Sequence, residues 1–251
     1  MKRFAKSVFN ALGFEIKRSE PSLPSSVYSR RVDYLMRCLN ECNVNYLLDI
    51  GANEGQYAAS FRDYGFQGNM ISFEPLDGPF SILKERAEND KKWNVKNLAV
   101  GNEDNETTIH VAGNLESSSI LPMLSLHIDA HPPSAYTTEQ KTRLIKIDTA
   151  CKHLISSSNR LAMKLDVQGY ELQALEGAVG LLKQVHVVDI ELSLDSLYDG
   201  QAGFVDVIKF LEMEGFTPVS FENGFTDPRN GHALQVDAVF IRKPSGTALK
   251  V

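Results

Sequence analysis

Short apolar runs alternate with amphipathic stretches along most of the chain. Runs at 46–50, 69–73, 93–100, 161–166 and 185–192 have the length and composition of strands buried on both faces. Between them, apolar residues recur at helical spacing. A helix is expected over 26–41 from Val27, Val32, Leu35, Met36 and Leu39. A second starts near Asn53 and runs through Tyr57, Ala58 and Phe61 to about Tyr64, where Gly65 and Gly68 end it. Further helices are expected over 78–89, with Phe80, Leu83 and Ala87 inward, over 170–182, with Leu172, Leu175, Val179 and Leu182 inward, and over 204–213, ended by Gly215. Strand–helix–strand order of this kind predicts a parallel, doubly wound sheet. Strands at 217–221 and 235–241 flank a loop, 222–233, that holds Asn223-Gly224 and Asn230-Gly231. Their closeness predicts an antiparallel pair at the end of that sheet.

The pattern fails in the middle and at the ends. Residues 106–111 suggest a short hairpin strand, and order resumes with a strand at 144–147 and a helix capped by Asp148 or Thr149 that runs through Leu154. The stretch 112–142 holds Ser117-Ser118-Ser119, Pro122 and Pro132-Pro133 with few periodic apolar positions, too long for an ordinary connection. Two roles are open for it: a lid over a site, or a structural or oligomer-forming loop. Residues 15–25 read as a linker. Ahead of it, Phe4, Val8 and Leu12 share a helical face flanked by Lys2, Arg3 and Lys6. Residues 1–13 therefore form either a capping helix or a weak interfacial helix for peripheral membrane or partner contact. The expected organisation is 1–45 as N-terminal helices and linker, 46–243 as one domain with its insertion at 112–142, and 244–251 as a tail.

Bulk properties narrow the class. A chain of 251 residues with 43% hydrophobic residues builds a sizeable core in one domain. The formal net charge of -6 argues against gripping a nucleic-acid backbone. Cys38, Cys42 and Cys151 form no C-x-x-C pair, the mark of reduced thiols in a cytoplasmic protein. No run of 18 apolar residues is present, so no membrane span is expected.

The candidate chemistry begins at the first strand. Asp49-Ile50-Gly51-Ala52-Asn53-Glu54-Gly55 ends a buried strand on a glycine turn that feeds a helix, and Phe73-Glu74-Pro75 ends the second strand on a carboxylate. Gly51 and Gly55 mark positions where a side chain would strike ligand or helix. The turn is D-x-G-x-N-x-G, not the G-x-G-x-x-G of a dinucleotide site, and Asp49 and Glu54 would repel a pyrophosphate while suiting a cation. Glu74 stands where an acidic residue accepts ribose hydroxyls. The set fits S-adenosylmethionine better than NAD. Asp49 either meets the amino-acid end of the cofactor or only orders the turn; Asn102 either lies by the adenine or caps a turn.

A second constellation follows. Lys164 and Asp166 share a face at the end of one strand, and Asp189 and Glu191 share a face of the next. A buried lysine needs a partner, and Asp166 or Glu171 supplies one. Asp166, Glu191 and Glu171 converge at the reactive end of the cofactor in one of three roles. One acid removes a proton from a substrate hydroxyl; or Asp166 and Glu191 hold Mg²⁺ or another divalent cation; or the acids form a structural network around Lys164. His127 and His131 have the i,i+4 spacing of metal ligands, but Pro132 and Pro133 follow at once.

These residues carry a family resemblance. Leu48-Asp49-Ile50-Gly51-Ala52-Asn53-Glu54-Gly55, Phe73-Glu74-Pro75, Lys164-Leu165-Asp166-Val167-Gln168-Gly169-Tyr170-Glu171 and Val188-Asp189-Ile190-Glu191-Leu192 resemble the FkbM family of S-adenosylmethionine-dependent methyltransferases, over roughly Tyr46 to Arg242. The K-[IL]-D-V-x-G-x-E segment is the specific one; the chain has Gln168 where the family more often has glutamate. The resemblance implies a class I, Rossmann-like α/β fold with a mostly parallel seven-stranded sheet whose last strand is antiparallel. It implies O-methylation of a sugar, glycan or secondary-metabolite hydroxyl, with Gly51 and Glu74 in cofactor contacts and Asp166 at the cofactor–substrate junction. From the residues themselves, Lys164, Glu171 and Glu191 join the expected transfer site, and Asp49, Asn53, Gly55, Pro75 and Asn102 the expected cofactor site. A scaffold that keeps the fold without catalysis, and an NAD-dependent oxidoreductase, are the competing functions.

Overall fold

The computed structural model describes residues 27–243. The helix read at 1–13, the linker at 15–25 and the tail at 244–251 lie outside the described residues. In chain order the strands are β1 (Tyr46–Ile50), β2 (Asn69–Phe73), β3 (Trp93–Lys96), β4 (Ala99–Val100), β5 (Asn105–Ala112), β6 (Tyr136–Ile145), β7 (Leu161–Leu165), β8 (Val185–Ser193), β9 (Phe216–Asn223) and β10 (Gln235–Arg242). Seven of them form one sheet in the order β3-β2-β1-β7-β8-β10-β9. All pairs are parallel except those of β10, which runs antiparallel to both β8 and β9. The order reverses beside β1, so the carboxyl ends of β1 and β7 open a crevice at the switch point.

Strand alternation sorts the core into two layers. Leu47, Met70, Ala162 and Val187 face the helices Val27–Glu41, Gln56–Asp63 and Asp77–Ala87, where Leu35, Leu39, Phe61, Leu83 and Trp93 close a continuous cluster. Leu48, Ile50, Ile71, Met163, Leu165, Val188 and Ile190 face the opposite way, onto Leu175, Leu182, Val207 and Leu211. The first layer also carries polar residues. Ser72, Asp49, Lys164 and Asp189 stand in register on four adjacent strands, so they form one buried row beneath the crevice.

Several predicted elements change shape. The strand read at 93–100 is two strands: β3 belongs to the large sheet and β4 to a second sheet ordered β4-β6-β5. Asn97 sits at the break, its side chain donating to the carbonyls of Glu74 and Pro75 at 3.1 and 3.0 Å. The stretch read as an irregular insertion holds a helix, Ser125–Ala130, and most of β6, which pairs antiparallel with β5 along its length. Tyr136–Arg143 is polar or half-exposed on both faces, so most of β6 carries no apolar alternation in the sequence. The strand read at 144–147 ends at Ile145, and Ile147 opens a short helix to Cys151. The helix read at 170–182 is two, Glu171–Glu176 and Val179–Leu182. They part at Gly177, where a Cβ would lie 1.9 Å from the Gly101 carbonyl oxygen, and the break leaves Val179 exposed rather than inward. Among the described residues, no helix is long and apolar enough to cross a membrane.

Leu48 is fully buried in the centre of the sheet. Leu48→Ala is expected to lower the unfolding free energy by about 2–5 kcal/mol. Urea denaturation checks it; an unchanged midpoint would mean that the β1 layer does not carry the core.

Candidate active site

The glycine turn takes its shape from contacts with its neighbours. Gly51 has φ 77°, and a Cβ there would fall 1.8 Å from the Asp166 carbonyl oxygen, so β1 and β7 can approach only over glycine. Gly55, with φ 83°, opens the helix Gln56–Asp63; its Cβ would meet Leu83 at 2.6 Å and Trp93 at 3.2 Å. Both glycines are explained by packing within the protein. The Gly51 and Ala52 N–H groups donate to the Phe73 carbonyl at 3.1 and 2.9 Å, which binds the turn to the end of β2.

That end carries Glu74. Its two carboxylate oxygens each accept a backbone N–H, from Asn53 and from Leu76, both at 2.8 Å. The carboxyl is therefore aimed by the two loops it joins and keeps lone pairs beyond those two bonds. Burial pushes its pKa up to about 7 against those two donors.

Glu74 lines a cavity of about 460 Å³ that runs from the glycine turn past the ends of β7 and β8. Of the predicted residues, Gly51, Asn53, Glu74, Pro75, Lys164, Asp166 and Glu191 line it together. Asp49, Gly55, Asn102 and Glu171 do not. Asp49 is fully buried behind β1, accepting from Ser72 Oγ at 3.0 Å, which in turn accepts from Trp93 Nε1 at 2.9 Å. Asn102 is exposed and donates to Glu176 at 2.8 Å. Glu171 is buried under the turn after β7, where one oxygen accepts the Val167 and Gly169 N–H groups, both at 3.1 Å.

Lys164 ties the two halves. Its ammonium donates to the Gly51 carbonyl at 2.7 Å and lies 3.4 Å from Asp166 and 3.8 Å from Asp49. The Tyr57 ring sits beneath it at 5.6 Å. Burial works against the charge, but Asp166, Asp49 and Asp189 hold its pKa above the ordinary value. Asp189 is itself committed to Arg31, from the helix Val27–Glu41, and to the Tyr57 hydroxyl at 2.8 Å.

Asp166 and Glu191 meet through a residue that composition did not flag. The Gln168 amide nitrogen donates to Asp166 Oδ1 at 2.7 Å and to Glu191 Oε2 at 2.8 Å. The same Glu191 oxygen accepts from Gln235 at 2.6 Å. Burial, with Asp166 and Glu171 near, pushes the Glu191 pKa well above the carboxylate range. The only signal for Gln168 was its departure from the family pattern, and nothing marked Gln235. Neither carboxylate pair nor neighbours suit a hard cation: a hydrogen-bond donor lies between Asp166 and Glu191 where an oxygen-ligated ion would sit. Among the described residues, no group of three or more His, Cys, Asp or Glu side chains is placed to hold a metal. The divalent-cation role expected for Asp166 and Glu191 is therefore not supported.

The far wall comes from the central stretch. Asn114 to Ile120, His127, His131 and Phe225 line it, with the His127 ring 5.3 Å from both Tyr198 and Phe225. Burial brings the His127 pKa down to about 4, so the ring is neutral near pH 7.

A doubly wound seven-stranded sheet with one antiparallel strand, and an acid-tipped crevice at its switch point, make up a class I, Rossmann-like methyltransferase fold. The Methyltransferase FkbM domain matches residues 49–218, and the chain belongs to that family. No curated protein sequence matches it. Among solved structures, methyltransferase FkbM from Methylobacillus flagellatus KT is 13% identical with a TM-score of 0.44, over 78% of this chain and 43% of that one. This chain thus spans less than half the length of that protein. The N-terminal domain of human METTL16 in complex with SAH is 11% identical with a TM-score of 0.48, over 94% of this chain and 79% of that one.

Glu171 gives a pH test of the turn. Burial, and next the Asp166 charge among the raising effects, lift its pKa to about 7 from an ordinary 4.5. The folded state then binds a proton that the unfolded chain has released, so stability falls as pH rises through that interval. Glu171→Gln keeps an acceptor for both N–H groups and removes the titration. It is expected to match the wild type below pH 4.5 and to exceed it by roughly 1–3 kcal/mol above pH 7. Urea titrations at pH 4.5 and 8 measure this; equal stability at both would refute it.

Proposed function

We propose that the protein transfers a methyl group from S-adenosylmethionine to a hydroxyl of an uncharged acceptor: a sugar, a glycan or a hydroxylated secondary metabolite. The observation that carries this reading is the placement of two carboxylates, Asp166 and Glu191, on the wall of the cavity that Glu74 also lines. Glu74 and Pro75 would hold the ribose side of the cofactor, the turn from Gly51 to Asn53 its amino-acid side, and Leu98 to Val100 with Ile109 an apolar wall for the base. Bound S-adenosylmethionine supplies a methyl group already activated by its positive sulfur. The remaining tasks fall to this chain. One of the two carboxylates takes the hydroxyl proton as the new carbon–oxygen bond forms and the carbon–sulfur bond breaks. The rigid ends of β7 and β8 align acceptor and methyl group. Lys164, bound to Gly51 and flanked by Asp49 and Asp166, holds the end of β7 against the turn.

The acceptor's lack of charge follows from the lining. Besides Tyr57 and Tyr170, its ionisable groups among the described residues are Glu74, Glu116, Asp166, Glu191, Lys164 and the two histidines, and the lysine is committed to internal partners. A phosphate would meet carboxylates with no free cation to receive it, which also disfavours nucleic acid. We assign residues 46–243 to one catalytic domain, with the central stretch forming the acceptor wall.

Glu74→Ala is expected to weaken S-adenosylmethionine binding at least 10-fold in titration calorimetry; unchanged affinity would remove the cofactor assignment. Asp166→Asn is expected to retain cofactor binding and to lose turnover at least 100-fold. The assay is S-adenosylhomocysteine release, screened over neutral glycosides, polyhydroxylated small molecules, sugar phosphates and RNA. Turnover on phosphorylated acceptors or RNA alone would overturn the proposal for the acceptor.

A further inference from the structure

The turn after β7 holds two successive residues in the left-handed region, Gln168 at φ 53° and Gly169 at φ 94°. Gly169 is required there, because a Cβ would lie 2.9 Å from the Tyr198 ring. Gln168 has a side chain and adopts the conformation at a cost, which persists only where surroundings impose it. Those surroundings are visible. Ser119 Oγ donates to the Gln168 backbone carbonyl at 2.6 Å. The Tyr198 hydroxyl lies 2.7 Å from Gln168 Oε1 and 3.1 Å from the Ser117 carbonyl. Tyr198 is fully buried, and its single hydroxyl proton, donated to Gln168 Oε1 as the nearer of the two acceptors, turns the amide nitrogen toward the acids. The nitrogen end then donates one hydrogen to Asp166 and one to Glu191.

We infer that Gln168 is a positioning residue. Its amide clamps Asp166 and Glu191 side by side at the cavity wall, and the clamped pair favours the positively charged sulfur of S-adenosylmethionine over the neutral sulfur of S-adenosylhomocysteine. Two carboxylates this close repel each other and otherwise relieve the repulsion by moving apart or sharing a proton. A neutral donor with two hydrogens binds an oxygen of each acid and adds no positive charge that would oppose a sulfonium. The other groups facing the pair are few. Lys164 lies on the Asp166 side at 3.4 Å, and Gln235 donates to Glu191 at 2.6 Å. Glu171 lies beneath the turn, and Asp237 on β10 pairs in register with Glu191. Within this set only Gln168 touches both acids. Preference for the charged cofactor speeds exchange of spent product for fresh cofactor, because the product loses the attraction once the methyl has gone.

This inference rests on the assignment of the sulfur to the ends of β7 and β8, and the two can fail separately. The test is calorimetric titration of wild type, Gln168→Ala, Tyr198→Phe and Glu74→Ala with S-adenosylmethionine and S-adenosylhomocysteine, with thermal unfolding as a check on folding. Gln168→Ala is expected to weaken S-adenosylmethionine at least 10-fold and S-adenosylhomocysteine less than 3-fold. Tyr198→Phe, which removes only the hydroxyl that orients the amide, is expected to lower the ratio of the two affinities at least 3-fold, and it decides the matter if Gln168→Ala does not fold. Glu74→Ala is expected to weaken both compounds alike. An unchanged ratio in the Gln168 and Tyr198 variants, whether through equal loss or no loss, would reduce Gln168 to a structural role and overturn the inference. If Glu74→Ala has no effect on either compound, the cofactor assignment itself falls.

Discussion

The crevice depends on a charge placed where charge is expensive. Lys164 stands in the middle of the sheet, in register with Asp49 on one side and Asp189 on the other. Desolvation of a buried ammonium is offset only when its partners are close and themselves satisfied. Here the partners are close: Asp49 accepts from Ser72 through one oxygen while the other, without a hydrogen bond, lies 3.8 Å from the ammonium; Asp189 is held by Arg31 and Tyr57; and the lysine donates to the Gly51 carbonyl. That last bond links the strand that ends in Asp166 to the turn that carries Asn53. The sides of the cavity proposed for the cofactor and for the transfer are thereby tied to each other.

The same row explains why so many acids gather in one core. Those on the helix side of the sheet, Asp49 and Asp189, are consumed by structure. Those one step further along the strands, Asp166 and Glu191, emerge at the wall of the cavity. The division follows from strand periodicity: residues two apart share a face but differ in depth. Asp189 also gives the helix Val27–Glu41 a stake in the site, since Arg31 reaches it from that helix and lies 3.5 Å from Glu222 on β9.

The second sheet has a different task. β5 and β6 form a largely polar ribbon that would gain little by burial, and the chain uses it as a strut. It carries Gln140, whose side chain donates to the Pro75 carbonyl at 2.9 Å and accepts the Asp77 N–H at 3.2 Å. It also brackets the segment from Asn114 to Ile120, which closes the cavity and supplies Ser119 to the Gln168 turn.

The amino-acid sequence by itself determined the alternation of strands and helices, the antiparallel last strand, the glycine turn, and the acids at the strand ends. Each of these is local: a run of apolar residues, a turn residue with positive φ, or a carboxylate at a fixed offset. Tertiary structure decided which acids reach the cavity. Asp49 and Glu191 both sit on strands of the same sheet, and only packing sends one behind β1 and the other to the wall. It also decided what Gly55 is for, namely room for Leu83 and Trp93, and it turned the polar stretch from Tyr136 into a strand whose partner lies some thirty residues earlier. The Gln168 clamp was the least legible feature. It needs Ser119, Tyr198, Asp166 and Glu191, drawn from three separate stretches of the chain, and a hydrogen-bond network leaves no periodicity in sequence because its geometry exists only once the strands are side by side.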